Sequence, residues 1–175
     1  MSGSRDSSGV RNCVGESAED NARTKPAADA VATVRDTGLM DDQLEAAVEA
    51  YLSALRDSDL ERVLSLFAAD AVVHSPLYGV MAPAEFYREL FADTSEANLR
   101  LRSVMHGRDA DGVRTVSLWF HFDWRLPSGA PAPFDVVDVA RLDDEGKFTS
   151  LHIIYDTVDV RPAFEAETGR QSWRQ

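Results

Sequence analysis

Residues 115–125 read TVSLWFHFDWR, and the unbroken alternation of this stretch decides the fold class. Val116, Leu118, Phe120, Phe122 and Trp124 fall on one side and Ser117, Trp119, His121 and Asp123 on the other, because successive side chains of an extended strand point to opposite faces. One face is apolar and largely aromatic. Downstream, PSGAPAP at 127–133 turns the chain, since proline presets φ and glycine tolerates tight turn conformations. Phe134, Val136, Asp138, Ala140 and Leu142 then alternate with Asp135, Val137, Val139 and Arg141. A second turn, Asp-Asp-Glu-Gly at 143–146, leads to a last strand that sets Leu151, Ile153 and Tyr155 against His152, Ile154 and Asp156. Upstream, Leu99, Leu101, Ser103 and Met105 alternate with Arg100 and Arg102, which predicts a half-exposed strand ending near Gly107.

Before these strands the period is helical. Leu44, Val48, Tyr51, Leu52 and Leu55 recur at helix spacing behind an Asp42/Glu45 start signal. Ser58 and Glu61 have capping-box spacing, and Val63, Leu64, Leu66 and Phe67 supply the stripe of a second, shorter helix. A short run, Val72 to Ser75, is stopped by Pro76. Gly79 marks a turn, and Pro83 opens a third helix carrying Phe86, Tyr87, Leu90 and Phe91. Helices followed by a strand meander without intervening helices give segregated α+β. The expected architecture is a curved antiparallel sheet wrapped around a pocket, with three N-terminal helices on its concave side.

Composition bounds what such a domain can do. With 175 residues and 44% hydrophobic content the chain suits one core. A formal charge of −12 argues against nucleic acid and anionic membrane surfaces as partners. One cysteine, Cys13, allows no internal disulfide, and no apolar run is long enough to span a membrane; a cytoplasmic location is the expectation. Residues 1–39 contain no aromatic side chain and read as a disordered tail. The domain is expected over 40–162, with a polar C-terminal tail at 163–175.

Asp138 is the first candidate for chemistry. It occupies the apolar face of its strand among Val136, Ala140 and Leu142, and a desolvated carboxyl has its pKa raised into the range useful for general acid–base work. The alternative is a buried structural acid satisfied by backbone amides or a hydroxyl. Tyr51 and Tyr87 could bring phenolic donors to the same cavity or serve as ordinary core tyrosines. Adjacent strand residues point to opposite faces, so His74 and Ser75 cannot form a catalytic pair if Ser75 faces inward. His74, His106, His121 and His152 lack metal-ligand spacing, and no phosphate loop, dinucleotide fingerprint or nucleophile elbow is present. Neither metal nor cofactor is expected. Trp119 among the polar groups of the outer face predicts a homodimer contact on the convex side.

The strings YLSALRDSDL from Tyr51, LFAADAVV from Leu66 and EFY from Glu85, with IIYD at 153–156, resemble the nuclear-transport-factor-2-like superfamily, particularly its SnoaL-like and ketosteroid-isomerase-like branches. The resemblance covers residues 42 to about 160 and implies a cone-shaped, cystatin-like α+β barrel. Carried over by position, it implies an oxyanion-hole tyrosine at Tyr51, a protonated oxyanion-hole aspartic acid at Asp138 and a supporting tyrosine at Tyr87. The base of ketosteroid isomerase falls on Ser75, and serine cannot do that work at neutral pH. The limonene epoxide hydrolase pattern requires an aspartate where Ile153 stands. Isomerisation or cyclisation therefore fits better than hydrolysis. The expected function is a cofactor-independent isomerase or cyclase acting on a small, largely apolar, oxygen-containing molecule. Asp138, Tyr51 and Tyr87 would be catalytic, with Ser75, Phe120, Phe122, Trp124, Leu151 and Tyr155 around the substrate. The alternative is a non-catalytic ligand-binding or dimerisation domain of the same fold.

Overall fold

The computed structural model describes residues 44–174; the tail expected over 1–39, the domain start at 40 and Cys13 lie outside them. A helix over residues 44–57 (α1) buries Val48, Tyr51, Leu52 and Leu55. It ends where Ser58 takes a φ of +51° and the Asp59 amide bonds to the Ala54 carbonyl. Ser58 therefore closes the first helix instead of opening the second. The cap of α2 (Leu60–Leu64) is Asp59, whose side chain accepts from the Arg62 amide at 3.0 Å. This helix is only five residues long, so Phe67, expected on its stripe, is instead the first residue of β1 (Phe67–Ser75). The strand begins there because the Leu66 carbonyl already accepts the Phe148 amide from the far end of the chain.

β1 turns back through β2 (Gly79–Met81), and α3 (Pro83–Ala92) follows with proline in its first turn. The meander comprises β3 (Glu96–Arg108), β4 (Arg114–Arg125), β5 (Phe134–Leu142) and β6 (Phe148–Ile154), with turns at the expected Pro/Gly and Asp/Gly segments. The six strands lie in the order β2-β1-β6-β5-β4-β3. All neighbours are antiparallel except β1 and β6, which run parallel, because the first strand precedes α3 and the last returns to lie beside it.

The inward row of β4 is as read: Val116, Leu118, Phe120, Phe122 and Trp124 are all buried. On β3 the alternation breaks. The register jumps between Leu101 and Ser103, so the partly buried Val104 packs on the core where Met105 was expected, and Met105 is exposed. A bulge adds one residue to one strand and flips every side chain beyond it.

The polar C-terminal segment expected from 163 differs most. Helix α4 (Val160–Thr168) crosses that boundary and buries Val160 and Phe164. Beyond its glycine cap, the Trp173 amide donates to the Leu77 carbonyl at 2.7 Å. Arg161 donates to the carbonyls of Pro76 and Trp173, to Thr157 and to Ser172. A segment with few apolar residues is thus tied down by one guanidinium and two anchoring rings, over the turn that joins β1 to β2.

Candidate functional site

The concave face of the sheet and helices α1 and α3 line a partly open cavity of about 40 Å³. Asp138 stands on its wall at the middle of the sheet, between Leu118 of β4 and Ile153 of β6, and is 2% exposed. The inward parity of β5 sets it there, and α1 brings Tyr51 over it. The Tyr51 phenol donates to Asp138 Oδ2 at 2.7 Å. The Tyr87 phenol, from α3, donates to the Tyr51 oxygen at 3.2 Å. Asp138 Oδ1 is buried and has no hydrogen-bond partner among the described residues.

These contacts fix the protonation states. Burial pushes the Asp138 carboxyl up to about 7, against a smaller lowering from the Tyr51 hydrogen bond. Burial and then the neighbouring Asp138 push Tyr51 well above its ordinary value. Tyr87 is raised as well, chiefly by burial. Both phenols keep their protons at neutral pH, while the Asp138 carboxyl beside them is brought into the range where it can exchange one. With one carboxyl and no imidazole on the cavity wall, the donor set is poor for a metal ion.

Of the residues singled out in the sequence, Tyr51, Ser75, Phe120, Phe122, Trp124, Asp138 and Tyr155 line the cavity. Two do not. Tyr87 lies behind Tyr51, fully buried, and reaches the carboxyl only through it. Leu151 has the right parity, but it pairs with Ala140 and Val73 one step deeper in the sheet and is sealed in the core. Ile153, which shares the parity of Leu151, lines the wall in its place.

Phe134 and Val136 also line the cavity, and their parity with Asp138 could have signalled them. Tyr78 and Phe86 were missed as well. Tyr78 had no periodic signal, because it sits in the turn before Gly79; its phenol donates to Asp93 at 2.9 Å, and Arg170 also bonds Asp93.

The aromatic walls are ordered by their own contacts. Phe122 and Trp124 stack with centroids 6.1 Å apart, and the indole N–H donates to Thr94 Oγ1 at 2.8 Å. Phe134 and Tyr155 stack at 4.1 Å. An apolar cavity needs about 150 Å³ to take a single benzene-sized ring, so these walls must part to admit one.

On β1, Ser75 faces inward and is 4% exposed, while His74 stacks on His152 on the outer face at 4.0 Å. The Ser75 hydroxyl accepts from the amides of Leu77 and Tyr78 at 3.3 and 3.2 Å. No base stands within hydrogen-bond reach of it among the described residues, so nucleophilic chemistry at Ser75 has no support.

Comparison with known proteins bears on this geometry. The family model for the SnoaL-like domain matches residues 48–151, more than half of the chain. Among solved structures, the chain is similar to SalBIII, an epoxide hydrolase/cyclase-like enzyme in pyran ring formation in polyether salinomycin. The TM-score there is 0.56 at 18% identity, covering 68% of this chain and 95% of that one. It is similar to TerC, co-crystallised with polyporic acid, with TM-score 0.56, 24% identity and coverage of 70% and 98%. AclR from Streptomyces galilaeus aligns with TM-score 0.57 at 16% identity, covering 71% and 82%. At these identities the structural likenesses establish the fold.

Proposed function

The chain belongs to the family of SnoaL-like domains, and from that premise we propose that its cavity carries out cofactor-independent proton transfer on a small, largely apolar substrate bearing oxygen, by isomerisation or cyclisation. The observation that carries the reading is the divided carboxyl of Asp138: Oδ2 is held by Tyr51, and Oδ1 is buried, without a partner among the described residues, and on the cavity wall. A protonated Oδ1 hydrogen-bonds a substrate carbonyl or ether oxygen. As negative charge develops on that oxygen, through loss of an α-proton to water in enolisation or through attack by a hydroxyl elsewhere in the same molecule whose own proton passes to water, Asp138 gives up the proton and remains as a carboxylate. Tyr51 stabilises that carboxylate by the hydrogen bond it already makes, and Tyr87 positions Tyr51. The proton is recovered from product or solvent. The part of SalBIII in pyran ring formation supports a cyclisation of this kind.

A second reading, a binding domain without turnover, has one observation in its favour. Asp138 is the one group on the cavity wall that exchanges a proton near neutrality, and Tyr51 and Tyr155 are both raised far from it. Asp138→Asn separates the two, because the amide accepts from Tyr51 and still donates into the cavity but carries no exchangeable acid. An enzyme would keep ligand affinity within a few-fold and lose turnover; a binder would show no turnover in either form. Ring ketones, lactones and epoxides are the compound classes to screen, first by thermal shift and then by product analysis.

We further propose self-association through the outer face of the sheet. Trp119 pairs across the strands with Val137, and Val137 with Ile154. Trp119 and Ile154 are 44% and 58% exposed, with Met105 nearby at 48%. A second copy covering this apolar row would remove it from water.

A further inference from the structure

The carboxyl of Asp138 is not the one polar group on the cavity wall with hydrogen-bonding capacity to spare. A serine oxygen has two lone pairs and one proton. At Ser75 the Leu77 and Tyr78 amides both donate to that oxygen. Its proton has no acceptor among the described residues, although Ser75 is buried and its side chain faces the cavity. The hydroxyl is therefore a donor and nothing else, and its oxygen is fixed by two backbone groups of the turn that follows.

The position of this donor relative to Asp138 follows from the strand register. Asp138 of β5 lies opposite Ile153 of β6. The parallel register of His74 with His152, continued by one residue, sets Ser75 beside the same Ile153 on its other side. Asp138 and Ser75 thus straddle one strand, on the same face. Neighbouring strands are about 4.8 Å apart, so the two backbones are roughly 9.5 Å apart. With both side chains on one face and Ile153 between their strands, a molecule with an oxygen at each end can reach both groups.

Resting on the reading of the cavity as an oxygenated-substrate site, we infer that Ser75 is a second substrate-binding donor, which selects molecules carrying two oxygens on opposite sides of a ring-sized apolar body. The oxygen at Asp138 is the one that takes the proton; the oxygen at Ser75 sets orientation. Ile153 lies between them as an apolar floor, and the stacked pairs Phe122–Trp124 and Phe134–Tyr155 are the aromatic walls that part to admit the ring.

The test compares cyclohexane-1,4-dione with cyclohexanone, which share a ring and differ by the second carbonyl. Dissociation constants are measured by NMR titration on the wild-type chain, Ser75→Ala and Ser75→Thr, with amide spectra checking that each is folded. One neutral hydrogen bond is worth about 0.5–1.5 kcal/mol, so the wild type should prefer the dione by about 2- to 12-fold once affinities are corrected for the statistical advantage of its two equivalent carbonyls. Ser75→Ala should bring that preference close to one, and Ser75→Thr, which keeps the hydroxyl, should restore it.

Infrared spectra of the dione bound to the wild type need no variant and should show both carbonyl bands shifted to lower frequency. Equal affinity for the two ketones, or a single shifted band, would overturn the role of Ser75 while leaving the Asp138 site standing. Failure of both ketones to bind the wild type at millimolar concentration would overturn the cavity reading and the Ser75 inference together.

Discussion

The Tyr51 phenol donates to one oxygen of Asp138 at 2.7 Å and leaves the other oxygen, also buried, facing the cavity with no partner among the described residues. A structural acid would have both oxygens satisfied, because a buried acceptor without a donor costs about 1–3 kcal/mol. Here the satisfied half orients the carboxyl and the unsatisfied half is what a ligand can use.

Removing the orienting phenol should therefore do more than remove a contact. In Tyr51→Phe the bond that lowers the Asp138 pKa is gone, so the carboxyl should titrate above 7. The chain should also lose about 1–3 kcal/mol of stability in denaturant unfolding. Tyr87→Phe should leave the Asp138 titration nearly where it was, since Tyr87 reaches the carboxyl only through Tyr51. Equal effects of the two variants on that titration would show that the relay has been misread.

The raised pKa has a signature in stability. The ordinary value for this carboxyl is 3.8, and in the folded chain it is about 7. Between these the native state holds a proton that the unfolded state has released. Native binding of the extra proton means that stability falls as pH rises from about 4 to about 7, by up to about 1.4 kcal/mol per unit, and levels off above. Asp138→Asn has no such group. The difference in unfolding free energy, wild type minus variant, should decline from pH 5 to 7 and be flat above 8; a difference constant across the range would contradict the shift.

At the C-terminus, Arg161→Ala removes donors to Pro76, Thr157, Ser172 and Trp173 at once. The turn that holds Ser75 should loosen. Amide hydrogen exchange at Leu77 and Trp173 should accelerate at least tenfold, while exchange in β4 is unaffected. Gly79 makes the same point by packing: an added Cβ would lie 2.9 Å from the Trp173 ring at a φ of +87°, so Gly79→Ala should destabilise the chain by more than 1 kcal/mol.

On the outer face, Trp119→Glu should convert a dimer to a monomer in sedimentation equilibrium without loss of the helical and strand signals in circular dichroism. A wild-type chain that sediments as a monomer at micromolar concentration would remove the self-association proposal.

The site was legible where one strand's alternation was enough to fix a side chain's direction. Asp138, Phe120, Phe122 and Trp124 were placed by parity alone, and Pro83 by helix-start chemistry. What escaped was set by pairing between distant segments. Phe67 follows the helical stripe in sequence, but the Leu66–Phe148 hydrogen bond draws it into the sheet. Val104 and Met105 exchanged faces at a bulge that no local residue announces. The C-terminal strap depends on Arg161 bonding a carbonyl 85 residues away, and Tyr78 is held by Asp93 of the next helix end. Leu151 had the correct face and the wrong depth, because parity fixes direction and not position along the cone.

The central claim is that Asp138 is a protonated cavity acid near neutral pH, and the most direct measurement is its titration. The side-chain carboxyl ¹³C shift of Asp138, assigned by comparison with Asp138→Asn, should follow pH with a midpoint near 7 and should move when a ring ketone is added at pH 6. A midpoint in the ordinary carboxylate range near 4, with no response to ligand, would make Asp138 a structural acid and contradict the account.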